Sequence, residues 1–104
     1  MTSAARTKKK KIIVERLTEQ KKHELKIPGQ PVAQEGWNVW ECGPSAFPWH
    51  YDQVEKCYLY EGDVRVITDA GEVHLKRGDF VTFPAGLSCR WEVHAKVKKV
   101  YRFE

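Results

Sequence analysis

The chain has 104 residues, 41% of them hydrophobic and 31% charged, with a formal net charge of +4 at neutral pH. That length suits one core, and the composition is that of an ordinary water-facing protein, with little room for separate catalytic and regulatory domains. No apolar run approaches the roughly 20 residues that cross a bilayer as a helix, so membrane association is not expected.

Met1 to Lys11 is basic and has no apolar segment behind it, so no secretory signal peptide is expected and cytoplasm is the default location. The composition of this segment leaves organellar targeting open. We expect a basic, disordered tail over residues 1–11 and one domain over 12–104. Lys8 to Lys11 form one run of charge, and Lys96, Lys98 and Lys99 form a second cluster; elsewhere acids and bases are mixed. Such runs read as solvated surface rather than as a nucleic-acid footprint.

Ile12 to Leu17 reads as an edge strand. Thr18 to Lys26 reads as helix, with Thr18 as N-cap and Pro28-Gly29 as the stop. Trp37 to Cys42 and Lys56 to Tyr60 are rich in the aromatic and β-branched residues that suit a pleated sheet. Val64, Val66 and Thr68 then alternate with Arg65 and Ile67, and Val73 and Leu75 alternate with Glu72, His74 and Lys76. Asp69-Ala70-Gly71 between them is a hairpin turn. Lys76 to Asp79 makes a second turn before a strand at Phe80–Phe83. Pro84-Ala85-Gly86 stops that strand, Ser88 to Val93 begins another, and Val97 to Phe103 closes the chain. Short strands with frequent turns predict an all-β protein, and an antiparallel double-sheet jelly roll leaves few strand edges unpaired.

Two spaced patterns lie within this β region. The first is Gly43, five residues, Trp49, one residue, Tyr51, three residues, Glu55, six residues, Gly62. The second is Gly78, five residues, Pro84, one residue, Gly86, two residues, Cys89, three residues, Val93. Gly62 and Gly78 are expected at turns between strands, where a side chain would obstruct the backbone. This framework resembles the two signature motifs of the RmlC-like cupin superfamily, small β-barrels that usually hold a metal on three histidines and one glutamate. From Trp37 onward the chain is similar, more narrowly, to the small single-domain DUF861 or cupin 3 group. The resemblance implies the cupin barrel. Some members of the wider group are (S)-ureidoglycine aminohydrolases, which use manganese, and many small members have no established activity. In this chain Trp49, Tyr51 and Cys89 stand where the histidines would stand, and only Glu55 keeps the family's ligand type.

Strand parity puts Trp49, Tyr51, Glu55 and Cys57 on one face, and Cys89, Trp91 and Val93 on another. In the cupin arrangement those faces meet inside the barrel and outline a ligand pocket. Trp49, Tyr51, Cys57, Cys89 and Trp91 are its candidate ligand-binding residues, and for Trp49 and Trp91 filling the core is the favoured role. Glu55 is the candidate catalytic residue, with Tyr51 assisting. Burial in an aromatic pocket would raise its pKa and suit it to proton transfer; alternatively it is hydrogen-bonded to Tyr51 or to a backbone amide and serves structure.

Cys89 as a nucleophile would need a neighbouring base, and His50, His74 and His94 all fall on the outward parity, so an inert thiol is expected. Cys42, Cys57 and Cys89 include no CxxC pair and read as reduced thiols. No cofactor is expected; if a metal were bound, Glu55, Cys57 and Cys89 would offer one oxygen and two sulfurs, a set better matched to zinc than to manganese and short of a fourth ligand. Tyr58 and Tyr60 share the face opposite Glu55, and an outward aromatic pair suggests a homodimer interface. The expected protein is a small cytoplasmic cupin, homodimeric, binding a small polar or planar metabolite, with metal-independent acid–base chemistry as its potential activity. A metal-dependent enzyme like the ureidoglycine aminohydrolases and a non-catalytic structural or regulatory module are the alternatives.

Overall fold

Two strands are long enough to serve both layers of the molecule: β4, Glu55–Thr68, and β7, Ser88–Phe103. The computed structural model describes residues 10–104, so most of the expected basic tail lies outside the described residues. The other elements are β1 (Ile13–Arg16), α1 (Glu19–Glu24), β2 (Asn38–Cys42), β3 (Ser45–His50), β5 (Gly71–Lys76) and β6 (Asp79–Phe83). All strand pairs are antiparallel.

In one layer the order is β1-β6-β4-β7-β2, using the first half of β4 and the last half of β7. In the other, β5 lies beside the second half of β4, which pairs with the first half of β7, and β3 closes the edge. Glu55 faces both Phe83 and Phe103 in the register, while Val64 faces both Leu75 and Val93. This is the all-β jelly-roll arrangement expected from the alternation.

The passage of β4 between layers needs extra residues. Its register against β7 shifts at three places between Leu59 and Val64. Glu55, Cys57 and Leu59 are buried before the shifts, and Val64 and Val66 after them, so the inward parity changes from odd to even. Gly62 sits inside this irregular stretch with φ +141°, and a Cβ there would come within 3.1 Å of the Val97 side chain. It therefore belongs to a bulge within a strand, not to a turn between strands as the motif suggested. Gly78 does occupy the β5–β6 turn, at φ +90°.

Leu59, Val64, Val66, Leu75, Val81, Phe83 and Val97 are fully buried between the layers. A second apolar cluster lies on the outer face of the first layer, where Trp37, Phe80 and Val100 pack beneath Leu17, Leu25 and Ile27. The segment that covers them is built as its sequence predicts: the Thr18 hydroxyl accepts from Lys21 N at 3.0 Å and caps α1. Trp37 Nε1 donates to the Leu25 carbonyl at 3.1 Å, and the Tyr60 hydroxyl donates to the Pro28 carbonyl. Lys22 stands 5.7 Å from the Tyr58 ring centroid. Tyr58 and Tyr60 are thus half-buried under the chain's own N-terminal segment, which corrects the expectation that they offer an uncovered interface. β1 is pinned by Arg16, whose Nε lies 3.1 Å from the buried Asp79 carboxylate.

Three strands differ from the sequence reading, the first being β4, which joins Lys56–Tyr60 and the run from Val64 into one strand. Ser88–Val93 and Val97–Phe103 are one continuous strand. β3 was hidden by Pro44 and Pro48, which argue against a strand interior. It is an edge strand paired only to β7, where a missing N–H costs little.

Candidate functional site

β3 and β4 deliver one side of the site. Trp49 and Tyr51 straddle the end of β3, and Glu55 opens β4. β7 delivers the other side: its inward parity continues through Trp91, Val93, Val97, Lys99 and Tyr101. Trp40 on β2 and Phe47 on β3 complete the walls of a pocket of about 160 Å³.

At its base lies a buried ion pair. Lys99 Nζ donates to Glu55 Oε2 at 2.6 Å, and the two side chains are only 7% and 5% exposed. The ammonium is also 4.9 Å from the Trp91 ring centroid, 5.1 Å from Trp40 and 5.5 Å from Tyr101. Taking a charge out of water is costly, and ring faces together with a carboxylate offset that cost. Burial pulls the Lys99 pKa down, but the neighbouring Cys57 and Glu55 outweigh it and leave the pKa above the ordinary lysine value. At neutral pH, where Cys57 is a neutral thiol, the Glu55 carboxylate at 2.6 Å is the partner that keeps Lys99 an ammonium.

Among the described residues Glu55 is bonded neither to Tyr51 nor to a backbone amide, the two structural roles expected for it; Lys99 is its partner. Tyr51 is 2% exposed, stacks on Phe83 at 4.5 Å and 8°, and its hydroxyl accepts from Trp91 Nε1 at 3.1 Å. Its backbone is held by the loop before β7, through Tyr51 N to Leu87 O at 2.8 Å and Gly86 N to Tyr51 O at 2.6 Å. Burial, then the Glu55 charge, pushes its pKa far above the usual phenol range. Tyr51 is a neutral phenol whose own proton remains available to donate.

Trp49 and Trp91 part company. Trp91 is buried and stacks at 12° with Phe47, serving as core and wall at once. Trp49 is 51% exposed at the pocket mouth, which overturns the core-filling role favoured for it. Phe103, 49% exposed, is its counterpart on the rim. Cys57 and Cys89 are buried in the core but do not line the pocket, contrary to expectation. Burial pushes their thiols up to about 12 and about 11, so both are inert at neutral pH. His50, His74 and His94 lie outside, as their parity predicts; His50 pairs with Ser88 at 2.7 Å and His74 with Asp63 at 2.6 Å.

The residues do not fit a resident metal. Among the described residues no three His, Cys, Asp or Glu side chains converge on a point, so Glu55, Cys57 and Cys89 do not form the set considered for zinc. The one carboxylate of the family's ligand type already faces a cation, the Lys99 ammonium. Lys99 is the functional residue missed in the sequence. Its signal was present in the alternation of Val97, Lys99, Tyr101 and Phe103, but the adjoining Lys96 and Lys98 made it read as part of a surface cluster.

Residues 29–101 match the family model described as the EutQ-like cupin domain. A DUF861-family protein from Thermotoga maritima has a solved structure that is 40% identical, with a TM-score of 0.80 over 90% of this chain and 100% of that one. Clostridium difficile EutQ is 22% identical, with a TM-score of 0.56 over 61% of this chain and half of its own. A Neisseria meningitidis protein at 18% identity and TM-score 0.55 shares the fold over 85% of this chain and 99% of its own. The search of curated proteins finds no match. Motif framework, two-layer jelly roll and these likenesses agree: the chain belongs to the EutQ-like cupin domain family, as a small member of its DUF861 group.

Proposed function

We propose that this protein binds a small polar metabolite in the aromatic pocket and that any chemistry there is metal-independent proton transfer by Glu55. The observation that carries this reading is the Lys99–Glu55 pair at the base of the pocket. A carboxylate and an ammonium side by side can take a proton from a ligand and steady the negative charge that develops on its oxygen. The Tyr51 hydroxyl is a third group in the same pocket, and its raised pKa makes it a donor rather than a base. A cytoplasmic location and a homodimer belong to the same proposal. The homodimer no longer rests on Tyr58 and Tyr60.

The modest volume of the pocket favours a second reading, a non-catalytic module whose ion pair serves the barrel alone. It is well below the roughly 300–1,000 Å³ of sites for drug-sized ligands. The aminohydrolase reading requires manganese on a histidine set that the chain lacks, and gains no support.

Ligand-observed NMR on a panel of small metabolites, with wild type and Glu55→Gln side by side, separates the two readings. Binding that weakens in Glu55→Gln supports the pocket. Hits that are unaffected by Glu55→Gln, or no hits at all, leave the module reading.

A further inference from the structure

The ion pair is under-satisfied, and this says what the pocket takes. Among the described residues, the bond between them is the only hydrogen bond that reaches either the Lys99 ammonium or the Glu55 carboxylate. An ammonium carries three donors and a carboxylate accepts at two oxygens; the ring faces of Trp40, Phe83, Trp91 and Tyr101 attract the ammonium but accept no conventional hydrogen bond, so donors on one and an oxygen on the other lack a protein hydrogen-bond partner. Both groups line the pocket. A ligand that completes them presents an acceptor to Lys99 and, next to it, a donor to Glu55.

Charge narrows the class. The pair is neutral as a unit, so an anionic ligand would meet the Glu55 carboxylate and a cationic one the Lys99 ammonium, each without a second countercharge in the pocket lining. Shape narrows it further. Trp40 stands at 82° to Trp91 and at 75° to Phe47, and the parallel pair Phe47 and Trp91 has its centroids only 6.2 Å apart, less than the two contact distances of about 3.5 Å that a flat ring or amide between them would need. Such walls suit a compact ligand that turns C–H groups to ring faces. Trp49 and Phe103, half-exposed at the mouth, extend the aromatic surface outward for the rest of a longer molecule.

We infer that the pocket binds the vicinal-diol end of a small, neutral polyhydroxy compound, one hydroxyl accepting from Lys99 and the adjacent one donating to Glu55. This rests on the binding reading proposed above and names its ligand class.

The test is ¹H–¹⁵N NMR titration of the full chain with glycerol and erythritol, following the indole N–H signals of Trp40 and Trp91. Acetamide, glycerate and 3-amino-1,2-propanediol serve as planar, anionic and cationic comparators. Saturable shifts of these indoles with the neutral polyols, weakened about tenfold or more in both Glu55→Gln and Lys99→Met, are expected. Wild-type selectivity among the five compounds tests the inference even if a variant fails to fold. Saturation by a comparator in preference to the polyols would overturn the ligand class while leaving the binding reading intact. No saturation by any of the five would overturn both.

Discussion

Lys99 Nζ lies 2.6 Å from Glu55 Oε2, although the two residues are 44 positions apart on β7 and β4. The pairing follows from the register of the two long strands, which turns both side chains to the same interior. A lysine and a glutamate that would each be expensive alone inside an aromatic box are tolerable there together.

The first prediction concerns that pair. Lys99→Met leaves an unpaired carboxylate beneath the pocket and is expected to destabilise the fold by about 3–5 kcal/mol in urea unfolding. The double variant Glu55→Leu, Lys99→Met removes both charges and should regain most of that loss. If the double variant is no more stable than Lys99→Met, the burial of a lone charge is not what the single substitution costs.

Alkaline pH should unfold the protein early. Cys57, Cys89, Tyr51 and Lys99 all have pKa values raised in the folded chain, Cys57 to about 12. Each therefore contributes stability that is complete below its unfolded pKa and is lost as pH rises toward the folded one. The loss begins near pH 9 with the thiols, and Cys57 alone accounts for about 1.4 kcal/mol per pH unit through this window. Stability measured from pH 8 to 11 should fall, and Cys57→Ala should fall less steeply than wild type. Parallel slopes would remove Cys57 from the account.

Metal should not matter to the native state. A ligand that binds only the folded chain raises its melting temperature. Because Lys99 already faces the only carboxylate in the pocket lining, chelation, manganese and zinc are each expected to leave the thermal midpoint unchanged. A concentration-dependent rise with either ion would reveal a site that these residues do not explain.

Gly62→Ala tests the bulge. The position has φ +141° and its new Cβ would meet Val97 at 3.1 Å, so strain and crowding act together. A loss of about 1–3 kcal/mol is expected, measured by denaturant titration. Gly71→Ala, where a Cβ meets nothing within 4 Å, isolates the conformational part alone at φ +129°. Equal losses at the two positions would show that Val97 does not crowd the bulge.

Much of this was legible in the chain itself. Spacing located Glu55 and Tyr51, parity sent the histidines outward, and Thr18 marked the start of α1. What stayed hidden shares one cause: a local pattern cannot report which distant segment covers a face. Tyr58 and Tyr60 look like surface until α1 and Pro28 are laid over them, and Lys99 looks like surface until Glu55 and four aromatic rings surround it. Trp49 fails in the opposite sense. Its residue type suggests core, but β3 is an edge strand and leaves it at the mouth.

Because β4 and β7 each run through both layers, neither layer can be removed without taking part of the other's backbone pairing with it. Halves of this molecule expressed separately would lack a complete sheet, and the two layers should exchange their amide protons as a single block when the whole protein opens. Tolerance to insertion should be correspondingly uneven along the sequence. The Asp69–Gly71 turn can lengthen without disturbing any pairing that reaches the pocket. A single residue added between Glu55 and Leu59 would rotate the following strand by one face and carry the carboxylate's neighbours out of the interior.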